Sequence, residues 1–160
     1  MTAVVTGCAE RARIADPERT WRIRVAGGMA VLGDEELLRR AVDNLLMNVL
    51  VHTPAGTVGT IAATTTGDRV AIEVSDDGPG VPPDKLPHIF ERFYRAGSVG
   101  TRGSGLGLAI AAEIAAAHGG TAQAAPAVPH GLRVLLTLPA GPAPDPGQRA
   151  GQEALAITAS

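Results

Sequence analysis

The strongest constraint on the fold is the segment from about residue 34 to residue 52. At about 100° per residue, Leu38, Val42, Leu45, Leu46, Val49 and Leu50 fill one broad arc. Asp34 is placed to cap the helix, and Glu35 and Glu36 lie in the first turn, where the helix dipole favours acids. Thr53-Pro54-Ala55-Gly56 stops it. A helix with so wide an apolar face needs a second layer to cover it. Alternating segments on either side supply that layer. Trp21-Arg22-Ile23-Arg24-Val25 reads as a half-buried strand, Gly27-Gly28 turns the chain, and residues 29–32 are expected to form a short second strand. Residues 58–65 and 69–75 are expected as two more strands joined by Thr66-Gly67-Asp68. The second sets Val70, Ile72 and Val74 against Ala71, Glu73 and Ser75. Residues 84–93 have room for one or two short helical turns. A helix is expected over residues 106–118, before Gly119-Gly120, and the last strands over 121–125 and 132–138. Strands and helices mix without a regular β-α-β alternation. The expected class is therefore α+β: a two-layer α/β sandwich with helices on one face of a mixed sheet.

Composition bounds the function. The 160 residues suffice for one domain with tails, and the 45% apolar fraction argues against wholesale disorder. With 2% aromatics, the core must be built from Val, Leu, Ile and Ala. A net charge of −2 suggests no grip on nucleic acid or anionic membranes. The single cysteine, Cys8, excludes an intrachain disulfide framework and fits a reducing compartment. No apolar run approaches the roughly 20 residues that span a bilayer, and the first residues lack the pattern of a signal peptide. Three regions are expected. Residues 1–20 read as the end of a helix or linker, broken at Asp16-Pro17; residues 21–139 are the globular part; residues 140–160 are a disordered tail rich in Pro, Gly and Ala.

Three features carry possible chemistry. Asn44, Asn48 and His52 form a stripe beside the apolar arc, and asparagine is a weak helix former. The stripe reads either as a solvated polar face or as a ligand-facing ridge, since an amide oxygen is a hard donor suited to Mg²⁺. Asp76-Asp77-Gly78-Pro79-Gly80 ends a strand. It reads either as a turn or as a carboxylate set against a ligand amine, with Gly80 allowing close backbone approach. Residues 97–107 are glycine-rich and run into a helix N-terminus, a place where free N–H groups attract phosphate. That loop fits neither the P-loop nor the dinucleotide fingerprint, and it is expected to be mobile over residues 96–104. The alternative for it is a plain linker.

Taken in order, four segments resemble the N, G1, F and G2 boxes of sensor histidine kinases over roughly residues 21–139. They are Asn44-Leu-Leu-Met-Asn48 with His52-Thr-Pro, then Asp77-Gly-Pro-Gly80, then Ile89-Phe-Glu-Arg-Phe-Tyr-Arg95, then Gly103-Ser-Gly-Leu-Gly-Leu-Ala-Ile110. The resemblance implies a Bergerat-type ATP-binding fold, with ATP and Mg²⁺ held between the N-box helix and a lid. By position, Asn48 would coordinate Mg²⁺, and Asn44 would assist through phosphate or water contacts. Asp77 would bind the exocyclic amine of adenine, with Gly80 beside the base and His52 near it. Phe90 and Phe93 would pack the F box and anchor the lid. Arg95 would reach toward phosphate or the partner domain. Gly103, Ser104, Gly105 and Gly107 would meet the triphosphate, with Leu106 lining the pocket and Arg102 adding charge.

Two departures stand out. Val51 occupies a position that commonly carries Lys or Arg. None of His52, His88, His118 and His130 is followed by an acid, as an acceptor histidine would be. The resemblance therefore implies the catalytic part of a protein-histidine kinase whose acceptor lies on a separate dimerisation domain, with a response regulator downstream. The fragment would be a monomer on the cytoplasmic side of a membrane-bound sensor. The alternatives are a nucleotide-binding module without transfer activity, or an anti-sigma serine kinase or ATPase of the same superfold. Those last relatives typically carry a Glu as general base where this chain has Asn44.

Overall fold

The computed structural model describes residues 1–94 and 104–142. Its elements are α1 (Thr2–Ala15), β1 (Trp21–Val25), α2 (Glu35–His52), β2 (Gly59–Thr66), β3 (Arg69–Asp76), α3 (Gly107–Ala117), β4 (Thr121–Pro126) and β5 (Leu132–Pro139), with a 3-10 turn at Leu86–His88. The five strands form one sheet in the order β1-β2-β3-β5-β4. β1 pairs parallel with β2 and the remaining pairs are antiparallel, so the sheet is mixed.

The register explains why only one face is buried. Ile23, Ile61, Val74, Val134 and Ala124 lie side by side across all five strands. Ala63, Ile72 and Leu136 form the next row. The opposite parity carries Arg24, Ala62, Glu73 and Leu135 on the uncovered face. α2 lays Leu38, Val42, Leu45, Leu46 and Val49 into the core, as its periodicity predicts, while Leu50 is only half-buried. α3 adds Ala111, Ile114 and Ala115, and α1 adds Val4, Val5, Cys8, Ala9 and Ala12 to the same cluster. Burial drives the Cys8 thiol pKa up to about 12, which makes it a packing residue and a poor nucleophile.

Asp34 caps α2 as expected: its Oδ1 accepts from the N–H groups of Glu36 and Leu37 at 2.9 and 3.1 Å. Asp34→Ala should therefore cost about 1 kcal/mol in urea unfolding, and a shift under a few tenths would show that the cap contributes nothing. Residues 29–32 are not a strand. Met29 is buried, but its hydrogen bonds go to the chain start and not to a strand: its N–H donates to Thr2 Oγ1, its carbonyl accepts from the Met1 ammonium and the Thr2 N–H, and the next carbonyl, of Ala30, accepts from Gly141. Without a neighbouring strand to supply a ladder, an extended segment remains coil.

Candidate functional site

One cavity of about 480 Å³ opens between the C-terminal half of α2, the start of α3 and the turn after β3. α2 contributes Asn44, Asn48 and His52, which share its lining with Gly80, Ser104, Gly105, Leu106 and Gly107. Eight of the expected site residues thus meet in one place. Arg95, Arg102 and Gly103, and with them the glycine-rich stretch before Ser104, lie outside the described residues.

Asp77 is not in the cavity. β3 buries Val70, Ile72 and Val74, and the next residue of that parity is Asp76, which is 6% exposed and lines the cavity. Asp77 falls on the other parity. It is exposed, and its Oδ1 accepts from the Val58 N–H at 2.6 Å, which ties the turn to the start of β2. The acid that lines the cavity is therefore Asp76, one residue before the expected Asp77, because the strand alternation runs through its last position. That alternation was the signal in the sequence that distinguishes the two acids.

The surroundings of Asp76 fix one of its oxygens. Oδ1 accepts from the Gly78 N–H at 2.9 Å and the Leu132 N–H at 3.4 Å. Burial pushes the carboxyl pKa above its ordinary value. The two backbone donors and the charge of Arg19 oppose that rise, and the charge of Asp77 adds to it. Gly80 adopts φ 72°, and a Cβ there would stand 2.9 Å from the Gly131 carbonyl oxygen. The turn is thus packed against the β4–β5 connection, and a side chain at that position would be strained.

A second part of the cavity wall is built on helices. The Nδ2 of Asn44, on the cavity wall, is buried and has no hydrogen-bond partner among the described residues, which fits an acceptor supplied by a bound molecule. α3 begins at Gly107 after Leu106, which provides no side-chain cap, and Gly107 and Leu108 in its first turn line the cavity. Among the described residues there is no cluster of three or more His, Cys, Asp or Glu side chains for a metal. The amide oxygen of Asn48 is a hard donor of the kind that Mg²⁺ accepts, so the lining would fit a Mg²⁺ that arrives with other oxygen ligands. Val51, half-exposed, takes its place in the lining without a charge.

The segment between these walls departs from expectation at one aromatic. Phe90 packs against the core. Phe93 is 71% exposed, because φ of 65° turns its N–H to the Gly105 carbonyl at 2.9 Å and its ring to solvent. Tyr94 lines the cavity in its place. Sequence reasoning also missed Thr53 and Met47, which complete the α2 wall.

Comparison with known proteins bears on the family and the fold. A family model described as histidine kinase-, DNA gyrase B-, and HSP90-like ATPase matches residues 33–142. The chain is 35% identical over 142 residues to the sensor-like histidine kinase SenX3 of Mycobacterium tuberculosis, covering 86% of this chain and 35% of SenX3. The mycobacterial sensor histidine kinase MprB superposes with a TM-score of 0.81 at 32% identity, covering 89% of this chain and 97% of that structure. Full-length ShkA, solved in complex with AMPPNP, superposes at 0.73 and 28% identity, covering 88% of this chain and 30% of ShkA. The chain spans about a third or less of the length of the curated relatives it matches.

Proposed function

Because the chain belongs to the histidine kinase-, DNA gyrase B-, and HSP90-like ATPase family, we propose that it is the ATP-binding catalytic domain of a two-component sensor histidine kinase. It transfers the γ-phosphoryl group of Mg-ATP to a histidine on a separate dimerisation domain, for relay to an aspartate of a response regulator. The observation that supports this reading best is the meeting of Asp76, Asn44, Asn48 and the N-terminus of α3 in one cavity.

Each wall then has a task. Asp76 accepts a hydrogen bond from the exocyclic amine of adenine with the oxygen its backbone donors leave free. Gly80 lets the turn lie against the base, and His52 flanks it. The Asn44 Nδ2 donates to a phosphate or water oxygen, which satisfies an otherwise orphaned group. Asn48 holds Mg²⁺, and the N–H groups at the start of α3 face the phosphates. When bound, Mg²⁺ supplies positive charge to the phosphate oxygens. Asn44 is an amide and makes no useful general base, which disfavours water or serine as the acceptor. A neutral histidine nitrogen already carries its lone pair. This domain's share of catalysis is positioning and charge neutralisation. Arg95, Arg102 and Gly103 remain candidates for the phosphate end. We place the domain on the cytoplasmic side of a membrane sensor; no described helix is long and apolar enough to cross a membrane.

The deciding experiment is ATP titration with and without Mg²⁺, repeated with a dimerisation hairpin supplied in trans. Binding alone, then an acid-labile phosphohistidine when the hairpin is present, is the expected result. Acid-stable phosphoserine, or rapid ATP hydrolysis with no protein label, would overturn the assignment.

A further inference from the structure

The one fully sequestered cation among the described residues lies outside the cavity. The Arg19 side chain, between α1 and β1, is 3% exposed. Its Nε donates to Asp16 Oδ2 at 2.9 Å, which anchors it to the end of α1. Nη1 donates to Thr53 Oγ1 at 2.6 Å and to the Thr57 carbonyl at 3.4 Å. Nη2 donates to the carbonyls of Thr53 and Pro54, both at 3.4 Å. A planar guanidinium can bridge this set; an ammonium on a single point cannot.

Thr53 is the residue through which this reaches the site. Its hydroxyl donates to the Val49 carbonyl at 2.7 Å while accepting from Arg19, so its rotamer is fixed at both ends. Its methyl then faces Gly78, where a Cβ would come within 2.9 Å of both Thr53 Cγ2 and Asp76 Oδ1. Thr53 and Asp76 both line the cavity, and Arg19 does not. From the far side, Asp77 fastens the same turn through Val58.

We propose that Arg19 is a positioning residue for the base end of the cavity: by clamping Thr53 and the turn at residues 53–57 to Asp16, it sets where Thr53 meets the Asp76 turn. The proposal rests on the nucleotide reading above. It distinguishes two kinds of affinity. A ligand held through its base depends on Arg19, and a ligand held only through phosphate does not. A clamp that merely joined α1 to α2 would affect both kinds or neither.

The test compares ATP with inorganic tripolyphosphate, both with Mg²⁺, by calorimetry on the full chain, with urea unfolding to confirm that each variant is folded. R19M should weaken ATP binding about tenfold, the effect of one lost hydrogen-bonded constraint, and leave tripolyphosphate within about twofold. D16A, which frees the guanidinium at its exposed end, should produce the same pattern at about threefold, and it carries the test if R19M does not fold. Folded variants that bind ATP as the wild type does, or that lose ATP and tripolyphosphate equally, overturn the positioning role while leaving the nucleotide reading intact. A wild-type chain that binds no ATP overturns both.

Discussion

Asp76→Asn should weaken ATP binding by about 100-fold, near 2.7 kcal/mol, because a hydrogen bond to a charged acceptor is lost and an amide N–H₂ is set against the adenine amine. The fold should survive the change. Asn retains an Oδ1 for the Gly78 and Leu132 donors, so no backbone N–H is orphaned. Stability carries a pH signature of known sign. Burial raises the Asp76 pKa in the folded chain, so the folded state holds this proton more tightly than the unfolded one. Wild-type stability therefore falls as pH rises from the ordinary carboxylate value through the raised one. The asparagine variant has no such loss, and its stability relative to wild type should grow across that window and then level off. Urea unfolding over a pH series reads this, and a difference that shrinks with rising pH would contradict it. Asp77→Asn is the control: its carboxylate serves Val58 at the surface, so ATP affinity should stay within about threefold. A larger loss in Asp77→Asn than in Asp76→Asn would return the adenine role to Asp77.

Asn48→Ala should lower phosphotransfer to a supplied hairpin by about 100-fold, equivalent to about 2.7 kcal/mol of transition-state stabilisation. ATP affinity without Mg²⁺ should hardly move, since the base end is untouched. Alanine is the better helix former by a few tenths of a kcal/mol, so the fold has no reason to weaken. The separation of the two readouts is the point of the experiment. Mg²⁺ dependence surviving intact in Asn48→Ala would remove the metal from this residue, and a parallel fall in metal-free ATP affinity would make Asn48 a general phosphate contact instead.

Much of this was legible in the sequence where a period repeats. α2 announced itself through six apolar residues at helical spacing and an Asp34 cap, and β3 through its alternation. The site was legible to the extent that it sits on those elements. Asn44, Asn48 and His52 face the cavity because the helix that carries them has its apolar arc fixed by the core. Asp76, not Asp77, lines the cavity because the strand period still applies at Asp76, where the acid doublet by itself reads as a turn. Arg19 offered no local signal at all. Its burial is produced by acceptors from residues 16, 53, 54 and 57 that only tertiary folding gathers. Residues 29–32 misled for the converse reason: a short apolar stretch has strand character but no partner to realise it.

The parallel pairing of β1 with β2 has a geometric consequence. Parallel neighbours cannot be joined by a tight turn, and here the connecting chain is α2 itself. The helix bearing Asn44 and Asn48 is therefore a crossover whose two ends are both tethered to one pair of strands. Asp76 is tied to the same pair, since it stands opposite Gly59 on β2. The two ends of the cavity thus share a single frame of reference. The span between the Asp76 turn and the Asn44–Asn48 ridge is therefore set by the sheet.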